Sequence, residues 1–133
     1  MAVYLDSSAL VKLVVAESES SALLAYLAAH PERVCSALCR VEVVRAVQAH
    51  GPLAVARAAR VLSHVRVLRI DDDVLEDAAV LGPALLRSFD AIHLASARTL
   101  GSELATVVTY DRTMVRAAQG LGLAVAAPGA VAP

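Results

Sequence analysis

Five short apolar runs, all but the last followed by a stretch of helical periodicity, constrain this chain more than any other feature. They are Val3-Tyr4-Leu5, Val34-Cys35-Ser36, Val65 to Ile70, Ala105 to Val108 and Leu123 to Ala126. Each has the length and composition of a strand. Two strands joined through a helix can lie parallel, because a parallel crossover needs about a dozen residues or more. The pattern predicts a three-layer α/β/α sandwich around a mostly parallel sheet of about five strands. Residues 1–133 read as one domain, with a loose tail from about Ala127.

The helices are placed by their stops and starts. Ser7 and Ser8 open the first, expected to run to about Val15. The second begins near Ser18, packs Leu23, Leu24 and Leu27, and stops at His30-Pro31. Ser36 caps a third from Ala37 to His50, with an apolar stripe of Leu38, Val41, Val44 and Val47. Gly51-Pro52 opens a fourth, Leu53 to Leu62, turning Val55, Ala59 and Leu62 inward. Asp71 to Asp73 start a fifth, whose inner face is Val74, Leu75, Ala78 and Leu81. After Gly82-Pro83 and a short turn, Ser88-Phe89-Asp90 leads into a very apolar helix to Leu100. The last helix follows Asp111 and carries Met114, Val115, Ala118 and Leu121. The alternation in VRVLRI, residues 65–70, suits an edge strand with one wetter face.

Composition narrows the function classes. The chain is 58% hydrophobic, yet Lys12, Glu17 or an arginine interrupts every apolar run before it reaches membrane-span length. No basic region precedes the apolar start, so no signal peptide is expected and the protein is expected to be cytoplasmic. The apolar surplus points to a helix face buried against another subunit. A net charge of −1 provides no bulk basic field for nucleic acid, and Lys12 is the sole lysine among twelve cations. Cys35 and Cys39 have no second cysteine pair to complete a metal site and read as buried free thiols.

Four acids stand out by context. Asp6 ends the first strand, and Asp111 follows the fourth, so both reach the same sheet edge. Asp90 opens a helix too apolar to face water, and Glu42 sits among Val41, Val43 and Val44, poor company for an unpaired charge. Each has a structural account as well: a helix cap for Asp6 and Asp111, a first-turn acid for Asp90, a salt bridge to Arg40 or Arg45 for Glu42. Clustered, they would repel by roughly 4 kcal/mol per pair at 4 Å and an effective dielectric of 20. Protonation or a bound cation would relieve that, and for a cation all-oxygen donors favour Mg²⁺ or Mn²⁺ over zinc. Such ions can activate a water and stabilise the leaving oxygen of a phosphodiester. Asp71 to Asp73 read as a solvated helix start, and His93 as a packed, hydrogen-bonded histidine.

LDSSALVKL, SALCRVEVVRA, LLRSFDAIHLASA and VVTYDRTMVRAAQGLGL resemble, in order, the four motif blocks of PIN-domain ribonucleases. The resemblance is strongest to the toxin half of VapBC-type toxin–antitoxin pairs and covers nearly the whole chain. It implies that Asp6, Glu42, Asp90 and Asp111 are the catalytic, metal-binding acids. Ser7 and Thr109 match supporting hydroxyl positions. Arg112 and Arg116 are candidates to contact RNA phosphates, with surface solubility an equal account. The family further implies Mg²⁺- or Mn²⁺-dependent endonucleolytic cleavage of RNA such as tRNA or rRNA, homodimerisation, and neutralisation by a small VapB-like antitoxin. The rival reading is a non-catalytic protein that uses the same fold to hold a partner. A phosphoacceptor receiver would need a lysine at the end of its last strand, and a phosphatase with a nucleophilic aspartate would want an acid where Ser8 stands.

Overall fold

The computed structural model describes residues 1–131. β1 (Ala2–Leu5) is buried at all four positions and lies at the centre of the sheet. α1 (Ser7–Val14) and α2 (Ser20–Ala28) lead to β2 (Arg33–Ser36). α3 (Cys39–Val47) passes into a 3-10 turn, Gln48–His50, and α4 (Pro52–Ser63) leads to β3 (Arg66–Leu68). α5 (Asp72–Val80) and α6 (Ser88–Arg98) precede β4 (Leu104–Val108), and α7 (Arg112–Gly120) precedes β5 (Val125–Ala126). Strand order is β3-β2-β1-β4-β5, with every pairing parallel. This is the expected five-stranded α/β/α sandwich, with β3 at an edge.

Alternation along β1 divides the core. Val3 and Leu5 join Leu10, Leu23, Leu27, Val43 and Val47 beneath α1 to α4. Ala2 and Tyr4 face the other way, with Val34, Val107 and Ala97 of α6. Leu94 of α6 meets Met114, Ala117 and Ala118 of α7 on that second side. Each fully buried large apolar side chain contributes about 1.5–3 kcal/mol, so the central strand is fixed from both faces. No helix among the described residues is long and apolar enough to cross a membrane.

Several expected faces and limits differ. α1 stops at Val14, and α2 starts at Ser20, where Ser20 Oγ bonds back to the carbonyl of Lys12 and accepts from the Glu17 amide. On α3 the buried residues are Cys39, Val43 and Val47, while Val41 is 58% exposed. The helix begins two residues later than expected, and Ser36 Oγ instead accepts from the Leu38 amide in the turn before it. On α4 the small residues Ala54 and Ala58 are buried and Ala59 is exposed, which lets α4 approach α1 and α3 closely. On α5 Val74 alone is fully buried, and Leu75 is exposed. The tail expected to be loose from Ala127 is tied down further on: Tyr110 Oη donates to the Pro128 carbonyl at 2.8 Å, and Gly129 lies against Ala22. Residues 132–133, to which that expectation also extended, lie outside the described residues.

Candidate active site

The chain leaves β1 toward β2 on one side and returns through β4 on the other. In open parallel sheets, such a reversal opens a crevice beyond the carboxyl ends of the two diverging strands. Leu5 pairs with Val108, so the next residues, Asp6 and Thr109, meet at that opening. Thr109 Oγ1 donates to Asp6 Oδ2 at 2.5 Å, and Ser8 Oγ donates to Asp6 Oδ1 at 2.6 Å. The Ala9 amide also donates to Oδ1, at 3.1 Å, so Asp6 caps α1. A carboxylate offers about four acceptor positions. Three are filled here, and the last is free for the pocket that Asp6 lines. Burial raises the Asp6 pKa, against the hydrogen bonds from Ser8 and Thr109.

Glu42 comes from the first turn of α3. Its Oε1 accepts from Ser7 Oγ and from His93 Nε2, the latter at 2.7 Å. His93 Nδ1 is in turn 2.8 Å from the Tyr4 hydroxyl, at the middle of β1. The glutamate is thus anchored through an imidazole to the central strand. Burial works to raise the Glu42 pKa, but the bonds from His93 and Ser7 win and hold it low. Burial works to lower that of His93, but Glu42 and neighbouring negative groups hold it high. Each partner thus favours the charged form of the other.

Asp111 caps α7 through Oδ1, which accepts from the Thr113 amide at 2.9 Å and the Met114 amide at 3.4 Å. Its Oδ2 accepts from an Arg87 terminal nitrogen at 3.2 Å. Arg87 Nε donates to Asp90 Oδ2 at 3.3 Å, so one guanidinium spans both acids. The Arg87 side chain is 73% exposed. Solvent screens such a pair to little net worth, so it is readily exchanged for a stronger cation.

All four acids and Ser7 line one open pocket of about 510 Å³, together with Ser8, Arg87, Ser88, Phe89 and His93. Thr109 lies behind Asp6, fully buried, and also accepts from the Asp111 amide at 3.2 Å. Arg112 and Arg116 are not brought into this pocket. They line a separate groove with Lys12, Glu19 and Tyr110. Lys12 itself is bound to Glu19 at 2.9 Å. Against its four carboxyl groups the pocket sets Arg87 and His93, so acidic charge is in excess. Hard oxygen donors, a free acceptor on Asp6 and that charge fit a divalent cation of the magnesium class.

Three participants were not assigned from sequence. Ser8 was read only as a helix starter, yet it bonds Asp6 and accepts from the Tyr110 amide at 2.9 Å. Arg87 stood in a motif block with no role, although its position three residues before Asp90 signals a helical pair. His93 is buried and hydrogen-bonded as expected, but its partner Glu42 is distant in sequence and carries no local signal. Cys35 and Cys39 are free and buried, also as expected.

Comparison with known proteins gives a consistent picture. A PIN domain family model matches residues 3–120. "Ribonuclease VapC46" of Mycobacterium tuberculosis (strain ATCC 25618 / H37Rv) is 51% identical over 127 residues, spanning 96% of this chain and 98% of that protein. A chain of a toxin–antitoxin complex from Klebsiella pneumoniae shares the fold at TM-score 0.72 and 23% identity, over 95% of this chain and 97% of that one. The crystal structure of Mycobacterium tuberculosis VapC20, a sarcin-ricin loop cleaving toxin, aligns at TM-score 0.70 and 20% identity, covering 86% and 94%.

Proposed function

Because this chain belongs to the PIN-domain family, among the VapC ribonucleases, we propose that it is the toxin of a type II toxin–antitoxin pair and hydrolyses RNA phosphodiester bonds endonucleolytically in the acid pocket. The observation that carries the reading is the meeting of Asp6, Glu42, Asp90 and Asp111 in one cavity, from four separate elements. These four are the proposed ligands of Mg²⁺ or Mn²⁺. When bound, such an ion supplies Lewis acidity at the phosphate and lowers the pKa of water.

The residues of the chain supply position. Ser8 and Thr109 hold both oxygens of Asp6, and Ser7 and His93 hold Glu42, so the carboxylates are oriented before any ligand arrives. His93 is committed to Glu42, so it is not assigned as a general base. Arg87, held at the pocket mouth by Asp90 and Asp111, would be within reach of a phosphate oxygen were those acids to hold an ion. Phe89, 56% exposed on the pocket wall, offers a face on which an unpaired base can stack. Single-stranded loops of tRNA or rRNA would fit that arrangement. Arg112 and Arg116, on the far side of Asp111, would contact more distant phosphates.

A cognate small antitoxin of VapB type and a second copy of the chain are the proposed partners. The test combines cleavage and binding. Asp6→Asn and Asp90→Asn should each lose Mg²⁺-dependent RNA cleavage by at least a hundredfold while keeping the wild-type circular dichroism. Co-expression with the neighbouring small reading frame should yield a co-purifying protein that silences the wild type. Full cleavage by both variants would remove the assignment. Wild type that neither cleaves RNA nor takes up Mn²⁺ in calorimetry would point to the non-catalytic reading. Absence of any co-purifying protein would remove the antitoxin.

A further inference from the structure

Behind the acid pocket lies a group of different chemistry. Cys39 and Glu42 stand three residues apart on the first turn of α3, on one side of the helix. His93 reaches them from α6. One ligand atom from each of the three lies within 4.8 Å of the others. Ser7 Oγ touches all three, at 3.7 Å from Cys39 Sγ and 3.3 Å from His93 Nε2 and hydrogen-bonded to Glu42. Ser7, Glu42 and His93 line the open pocket, which gives an ion a way in, and Cys39 closes the back.

We propose that Cys39, Glu42 and His93 form a second metal site, selective for a borderline ion such as Zn²⁺, which shares Glu42 with the acid pocket and stops cleavage when filled. The consequence for cleavage rests on the function proposed above; the site itself does not. Thiolate and imidazole donors favour zinc over magnesium or manganese, whereas the four-acid pocket has the opposite preference. At ordinary Zn–N, Zn–O and Zn–S lengths of about 2.0–2.3 Å, tetrahedral donors sit roughly 3.3–3.8 Å apart. The 2.7 Å His93–Glu42 edge would open by about half an ångström, and the longest edge close by about one. The ion takes the place of the proton between His93 Nε2 and Glu42 Oε1, and of the thiol proton of Cys39. Thiol and imidazole must be unprotonated at the atom that binds the ion, so affinity rises with pH. The fourth position falls to water or Ser7. His93 already has the outer support that a metal-ligating histidine requires, since its Nδ1 is bonded to Tyr4. With Oε1 on the zinc ion, Glu42 has less charge to offer an ion in the acid pocket, and a dication beside the acids repels a second one.

The probe is Co²⁺ added to metal-free full-length protein. The expected result is one tightly bound ion per chain with tetrahedral visible bands and a thiolate-to-cobalt charge-transfer band, all displaced by Zn²⁺. Cys39→Ala and Cys39→Ser should lose the charge-transfer band and weaken binding at least tenfold. Asp111→Asn should retain it. Two cysteine variants, both checked by circular dichroism, guard against a folding defect in one. Micromolar Zn²⁺ should inhibit Mg²⁺-dependent cleavage by wild type but not by Cys39→Ala. A wild type without the charge-transfer band, or a Cys39→Ala protein that keeps it, overturns the site. Equal zinc inhibition of both proteins overturns the regulatory role. The cobalt spectrum needs no RNA, so it decides the site even if cleavage is never observed.

Discussion

Asp6 and Asp111 show how one carboxylate serves two ends. Each gives Oδ1 to the first amides of the following helix and presents Oδ2 elsewhere, to Thr109 or to Arg87. The helix start is therefore what aims each acid toward the pocket. The Glu42–His93 pair is a different device, and it makes stability depend on pH. His93, raised above its ordinary 6.5, stabilises the fold fully below that pH, and the contribution is lost as pH rises through its folded value. Glu42, lowered from 4.5, contributes above that pH and loses its contribution as pH falls through the depressed value. Both are fully present from about pH 4.5 to 6.5. In chelator, the wild-type melting temperature should fall between pH 6.5 and 8, below the ordinary 9.0 of the cysteines. His93→Gln keeps a donor but cannot charge, and its profile should be flat there. Asp6→Asn should retain the decline, since Glu42, the foremost group holding His93 high, is untouched. Parallel slopes in wild type and His93→Gln would contradict this account. Differential scanning fluorimetry across a buffer series reads all three.

Among the elements, α6 is set deepest: Asp90, Ala91 and every residue from His93 to Ala97 are buried. Ser96 is fully buried there, and its hydroxyl has no hydrogen-bond partner among the described residues. Leaving a buried hydroxyl unpaired costs about 1–3 kcal/mol. Ser96→Ala should therefore stabilise the protein by about 1 kcal/mol, or roughly 3–6 °C in melting temperature for a chain of this size. An unchanged or lower melting temperature would show that the hydroxyl is satisfied, by water for instance. The elements also show what the sequence could carry. The five strands and the acids that follow two of them were legible, because short apolar runs and helix-start residues are local signals; the strand order was not. The buried face of α3 was not. Leu38, Val41, Val44 and Val47 form one apolar stripe and Cys39, Val43 and the same Val47 another, so periodicity alone could not choose. The choice is made by tertiary contact, since α3 packs on α1 and α4 and turns Glu42 toward His93. The hydrogen bonds that orient the acids were likewise invisible. They join residues 51 positions apart for Glu42 and His93, and 103 for Asp6 and Thr109.

At the scale of the whole molecule, the chain exposes more surface than a monomer of its mass should. The scaling of surface with mass gives roughly 6,600 Å² for a folded protein of 13.8 kDa. This chain has 7427 Å². Much of what is exposed is apolar along one side: Leu75 and Val80 of α5, 47% and 82% exposed, and Leu85 in the loop that follows, 96% exposed. Beside them runs an apolar groove lined by Leu81, Leu86, Ala91 and Ile92. A second copy laid on it would bring two acid pockets into one particle, since Ser88 borders both the groove and the pocket. Light scattering on the purified chain should give twice the 13.8 kDa of the monomer. Val80→Glu combined with Leu85→Glu places charge where the surfaces would meet and should give monomers with an unchanged circular dichroism spectrum. Both positions are exposed, so neither change disturbs the core. A wild type that stays monomeric at tens of micromolar would leave the apolar face to the antitoxin alone. A dimer that survives both charges would move the interface to another side, where Leu24 and Leu53 are the remaining large exposed apolar residues on α2 and α4.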